Sequence, residues 1–204
     1  MNTGRRIAVG AVVALGAALA FAGCAIVAER GGGMGNGMDH DGMGQTDGSS
    51  EFNRADIMFA QMMIPHHEQA IEMSDLILAK DGVVPEVVEL AEEIAAAQGP
   101  EIEQMESWLD EWGAPSMMDA DDAGGMGGMD GMLTEEELDE LEAADGTTGT
   151  ELFLQGMIEH HEGAIDMAER HQENGESDEA LALSASIIET QTAEIERMQE
   201  LLAG

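Results

Sequence analysis

Residues 59–73 read FAQMMIPHHEQAIEM, and residues 153–167 read FLQGMIEHHEGAIDM. The two stretches align without a gap at an offset of 94. Farther along, Gln98, Glu101, Ile102, Met105 and Leu109 match Gln191, Glu194, Ile195, Met198 and Leu202 at an offset of 93. One deletion before the Asp81-Gly82 and Asn174-Gly175 turns accounts for the change of offset. Two matched blocks in the same order mark an internal duplication, and the duplicated unit decides the fold.

Each copy reads as a helical hairpin. The first helix is expected from about Glu51 to Lys80, stopping at Asp81-Gly82. The second starts near Pro85, a residue suited to a first turn, and ends at Trp112-Gly113. In the second copy the helices run from about Thr150 to Glu173 and from Ser177 to Leu202, preceded by a short acidic helix over Thr134–Ala144. Thr134 with Glu137 three residues on forms a capping box. Nothing reads as a strand. Two hairpins, each unable to bury its apolar face alone, pair into an all-α, four-helix bundle.

At roughly 100° per residue, Phe52, Phe59, Ala70, Ser74 and Ile77 fall on the side of Met63. Glu68, Glu72 and Asp75 fall on the opposite side, while His66 and His67 flank the apolar stripe. Val87, Ala91, Ile94, Ile102, Met105 and Leu109 surround Gln98 on the next helix, with Glu101 close by. The geometry repeats for Met157, His160, His161, Gln191 and Glu194. Each copy therefore turns two imidazoles, an amide, a carboxylate and thioethers toward an interior, where polar groups cost free energy unless paired or metal-bound. Two readings fit: hydrogen bonds from His to Gln and Glu that fix register across each hairpin, or metal ligation. Met63, Met105, Met157 and Met198 likewise serve either as core filler or as soft ligands.

The Met-Ile-x-His-His-x-x-Ala-Ile-x-Met pattern, followed by Gln-x-x-Glu-Ile-x-x-Met, resembles the ferritin-like family classed as domain of unknown function 305. The resemblance spans both copies, Glu51–Trp112 and Thr150–Leu202. That family is largely exported and bacterial, and it includes a periplasmic copper-binding resistance protein. The resemblance implies a ferritin-like four-helix fold and handling of copper or silver outside the cytoplasm. By motif match it points to Met63, His66, His67, Met73, Gln98, Glu101 and Met105, and to Met157, His160, His161, Met167, Gln191, Glu194 and Met198. Di-iron ferritin-like proteins use Glu-x-x-His on two helices. No Glu-x-x-His occurs in this chain, which argues against a ferroxidase.

The copies also differ. Pro65 and Pro100 stand mid-helix in the first, where the second has Glu159 and Ala193, and Gly156 replaces Met62. Proline removes a backbone donor, so the first copy is expected to be looser around His66 and His67. On that reading His160 and His161 are the buried structural partners.

Outside the repeats the chain is an address and two tethers. Residues 1–23 read as an export signal, with Arg5-Arg6, an apolar run and small residues up to Cys24. Phe21-Ala22-Gly23-Cys24 resembles a lipobox, which makes Cys24 the lipidated first residue of a mature protein at the outer face of the cell membrane or in the periplasm. The alternative is an uncleaved anchor, since the apolar stretch continues to Ala28. Residues 24–50 and 116–132 are Gly- and Met-rich linkers flanking a hairpin at 51–115, and 133–204 holds the acidic helix and the second hairpin. A plain linker has no packing use for Met. Met34, Met38 and Met43 around His40 therefore read as soft-metal ligands, with compositional drift as the alternative.

The 204-residue chain has 7 Lys+Arg against 43 Asp+Glu, a formal charge of −36. Such a polyanion cannot neutralise phosphates, which excludes nucleic acid as a partner. It is also repelled by anionic membrane surfaces, leaving a lipid anchor as the only membrane contact. Seventeen Met beside two Trp, four Phe and no Tyr are a compositional clue, Met being a soft thioether as well as a flexible core filler. The expected function is sequestration or transfer of Cu(I), and of Ag(I), with no catalysis, no organic cofactor and no delivery partner named by the sequence. A ferritin-like metallo-oxidase and a metal-free acidic interaction module are the competing readings.

Overall fold

A computed structural model of the chain describes residues 51–116 and 131–204. The first helix, α1 (Arg54–Leu78), starts at a capping box. Asn53 Oδ1 accepts from the Ala55 and Asp56 amides at 2.6 and 3.3 Å, while Asp56 Oδ2 accepts from the Asn53 amide at 2.6 Å. Helix α2 (Pro85–Trp112) carries proline in its first turn and ends at Gly113, whose φ of 65° is the left-handed cap that glycine adopts without strain. Thr134 and Glu137 form the expected capping box at the head of α3 (Glu135–Ala143). Helix α4 (Gly146–Asn174) begins four residues before the expected Thr150, capped by Asp145 through the Thr148 amide at 2.9 Å. Ser177 caps α5 (Asp178–Ala203). Every element among the described residues is helical, and none of these helices is long and apolar enough to cross a membrane.

Helices α1 and α2 pack as one hairpin, α4 and α5 as the other, and α1 lies against α4 to join them. Side chains link the outer pair: Arg197 on α5 reaches Glu89 at 3.5 Å and pairs with Glu93, both on α2. Pro65 and Pro100 lie inside continuous helices rather than ending them.

The interior divides into two apolar clusters. One joins Phe59, Met63, Met105, Trp108 and Leu109 to Met167, Ala168, Ala180 and Ile187. The other joins Met73, Ile77, Leu90 and Ile94 to Leu141, Phe153, Met157 and Met198. The start of α1 thus shares a cluster with the later part of α4, and the end of α1 with the start of α4. The two helices are antiparallel, with a pseudo-two-fold relation between the copies.

Residues 131–133 are strapped onto this frame. Gln69 donates to the Leu133 carbonyl at 2.9 Å and accepts from its amide at 2.7 Å. A Cβ at Gly156 would stand 3.1 Å from a Leu133 methyl carbon, so the glycine that replaces Met62 in the second copy makes room for the strap.

Candidate metal centre

His66 and His67 lie midway along α1, and His160 and His161 midway along α4. Because the helices are antiparallel, equivalent positions meet: the His66 and His160 rings lie 3.7 Å apart between centroids, tilted by 41°. All four imidazoles are fully buried. Burial does not distinguish the copies: His66 and His67, beside Pro65, are no more exposed than His160 and His161.

Two of the rings are held by carboxylates. His67 Nε2 meets Glu101 Oε2 at 2.8 Å, and His161 Nε2 meets Glu194 Oε2 at 2.7 Å. An ionised carboxylate only accepts, so each Nε2 donates, and in the neutral imidazole the lone pair then resides on Nδ1. Both of these Nδ1 atoms are buried without a hydrogen-bond partner. A carboxylate that fixes the tautomer and leaves the opposite nitrogen free is the outer-shell arrangement found behind metal-bound histidine. The pairing across each hairpin therefore runs from His to Glu and does not include Gln. Gln98 Oε1 and Gln191 Oε1 are buried with no partner of their own.

His160 makes no hydrogen bond of good geometry at either ring nitrogen. Burial, and after it the positive charge that His66, His161 and His67 could carry, hold its pKa well below the ordinary value. An approach to the His66 backbone opposes this only in part. His160 is therefore neutral at neutral pH, with a lone pair available inside the protein. Each orphaned polar group costs roughly 1–3 kcal/mol, a cost that a bound cation would offset.

Among the described residues no three His, Cys, Asp or Glu side chains are arranged to hold a metal ion. The remaining soft donors are thioethers. Met63, Met105 and Met167 fall in one apolar cluster, and Met73, Met157 and Met198 in the other. The motif-based grouping of Met73 with the first copy and Met167 with the second is thus crossed in space, because α1 and α4 run in opposite directions. Glu101 and Glu194 stand at the edge of the histidine layer, with side chains 20% and 21% exposed. Cys24, Met34, Met38, His40 and Met43 lie outside the described residues.

One polar cluster escaped the sequence reading. Asp56 Oδ1 meets His171 Nε2 at 2.8 Å, and His171 Nδ1 meets Ser184 Oγ at 2.8 Å. Asp56 also accepts from the amides of Glu176 and Ser177, each at 3.1 Å to Oδ1. Burial pushes its pKa up, but hydrogen bonds from Asn53, His171, Ser177 and Glu176 outweigh it and hold the carboxyl below its ordinary value. The order Ser, His, Asp is that of a hydrolytic triad. Here, though, all three side chains are buried, and Ser184 Oγ lies 3.2 Å from the Leu181 carbonyl, which can only accept. The cluster is a strut tying the head of α1 to the α4–α5 turn. His171 stacks on Phe59 with centroids 4.2 Å apart. Its counterpart by the repeat offset is Ile77, so the duplication carries no signal for it.

The family profile named domain of unknown function 305 (DUF305) matches residues 56–202. The chain belongs to this family. Among solved structures, a DUF305 protein from Streptomyces coelicolor described as secreted is 36% identical, with a TM-score of 0.69, over 73% of this chain and 92% of that one. A DUF305 fragment from Deinococcus radiodurans is 29% identical, with a TM-score of 0.64, over 74% and 97%. CopM in its Cu(I)-bound form is 33% identical, with a TM-score of 0.59, over 72% and 94%. CopM has also been solved with Cu(II), with Ag and in the apo form. A search of the curated proteins finds no match.

Proposed function

We propose that this protein binds Cu(I), and Ag(I) by the same chemistry, outside the cytoplasm, and holds or passes on the ion without catalysing a reaction. The observation that carries the reading is the pair of buried Nδ1 atoms on His67 and His161, each unpartnered and each aimed by a carboxylate on Nε2. They sit between clusters supplying thioethers, the donors that favour Cu(I) over hard cations. His66, His160, Gln98 and Gln191 complete the polar layer and are proposed as further ligands or ligand supports.

The CopM structures with Cu(I), Cu(II) and Ag support metal handling in a relative. The secreted relative, together with the signal-like residues 1–23 and Cys24, supports export and a lipid anchor. The packing of α1 on α4 and the ion pairs from α2 to α5 favour a ferritin-like four-helix bundle. Met34, Met38, His40 and Met43 are proposed as a capture site on the leading tether.

Competition titration under reducing conditions against a chromophoric Cu(I) chelator, with a parallel Zn(II) titration, tests the metal choice. Cu(I) is expected to bind more tightly than Zn(II). Tighter binding of Zn(II) or Fe(II) overturns it.

A further inference from the structure

The duplication invites the view that each copy makes its own metal site, with Met63, Met73 and Met105 in the first and Met157, Met167 and Met198 in the second. The packing divides them otherwise. Counted outward from the facing rings of His66 and His160, Met63 precedes the layer on α1 and Met167 follows it on α4, so the antiparallel helices bring both to the same side. Met105 on α2 joins them, because the contact of His67 with Glu101 sets the α1–α2 register. The opposite side collects Met157, Met198 and Met73 by the same pseudo-symmetry. All six methionines are at least 97% buried.

We infer that the thioethers act as two composite triads, Met63–Met105–Met167 and Met157–Met198–Met73, each borrowing one sulfur from the other copy and each binding one soft monovalent cation beside the histidine layer. The inference rests on the reading of the protein as a Cu(I) and Ag(I) binder. Three buried thioethers beside the histidine layer make a donor set for such an ion and a poor one for Zn(II) or Mg(II). The arrangement also gives the duplication a chemical use, since one hairpin alone holds only two members of either triad.

The two triads differ in one neighbour that makes them separately visible. Trp108 lies in the cluster of Met63, Met105 and Met167, three residues beyond Met105 on α2, and Trp112 stacks on it with centroids 5.9 Å apart. These are the only tryptophans in the chain, and Leu201 takes the place of Trp108 in the other copy. Tryptophan emission therefore reports on the first triad, whose cluster holds Trp108, while the cluster of the second triad holds no tryptophan.

The test is an Ag(I) titration of the full chain, followed by tryptophan emission and by the bound silver counted after desalting. Met→Leu is a volume-conserving swap that cores tolerate. Met167→Leu should move the emission midpoint to severalfold higher Ag(I), and Met73→Leu should leave it where the wild type has it. Met105→Leu should behave like Met167→Leu, giving a second variant should Met167→Leu fail to fold by circular dichroism. Silver counts should fall in all three. The opposite pattern, with Met73→Leu shifting the emission and Met167→Leu silent, would show that each copy builds its own site. Bound silver with no emission change in the wild type, or equal shifts for Met73→Leu and Met167→Leu, would equally overturn the triads while leaving metal binding intact. A wild-type protein that retains no silver would overturn the function itself.

Discussion

At the scale of single residues, the informative feature is a nitrogen rather than a side chain. Histidine paired with glutamate is common as a register-fixing contact, and in that role Glu101 and Glu194 would matter only to stability. The orphaned Nδ1 atoms of His67 and His161 point instead to a ligand held from behind. Glu101→Ala and Glu194→Ala are expected to weaken Cu(I) affinity by about 10–100-fold each. Chelator competition measures this, with far-UV circular dichroism as the control. Unchanged affinity would mean that the two pairs only fix register.

Asp56 supplies the residue-scale prediction for pH. Its folded-state pKa lies below the ordinary 3.8, so it stabilises the fold at neutral pH, and that contribution is lost as pH falls through the folded value. Asp56→Asn should cost roughly 1–3 kcal/mol at neutral pH, because the Glu176 and Ser177 amides and His171 lose an ionised acceptor. Below about pH 4, where a carboxyl in the unfolded chain takes up its proton, the wild type should lose stability faster than the variant. Urea unfolding across the acid limb compares them, and parallel curves would contradict the assignment.

At the scale of elements, much was legible in advance. Pro85, the Thr134–Glu137 box and Gly113 mark helix ends through local chemistry, and α2 and α3 lie where those signals put them. The start of α4 was not legible. Gly146-Thr147-Thr148-Gly149 has poor helix propensity, yet the segment is helical from Gly146. Tertiary contact is the reason: a Cβ at Gly146 would stand 2.2 Å from the Asp81 carbonyl oxygen, so glycine lets α4 begin against the α1–α2 turn.

The expected loosening at the prolines has no counterpart in helix continuity or burial. Helices α1 and α2 run through Pro65 and Pro100, and all four histidines are equally buried. The two copies should therefore be near-equivalent. His66→Ala with His67→Ala, and His160→Ala with His161→Ala, are expected to lower bound Cu(I) and the melting temperature by comparable amounts. Metal counting with thermal melts would contradict this if only the first pair lost metal and only the second lost stability.

At the scale of the whole molecule, sequence periodicity gave the hairpins but not how they face each other. That relation depends on α1 crossing α4 in opposite directions at His66 and His160. It is what gathers the imidazoles of both copies into one layer and sends Met73 and Met167 to the far copy's methionines. The acidic exterior, with a formal charge of −36, raises the local concentration of cations without choosing among them; on the proposed function the choice falls to the interior donors. The most direct test of those donors is X-ray absorption at the copper edge of the protein loaded with Cu(I) under reducing conditions. The expected spectrum shows a shell of sulfur together with imidazole nitrogen, with the imidazole signal reduced by His67→Ala combined with His161→Ala. A shell of oxygen and nitrogen alone, or one unchanged by that double substitution, would contradict it.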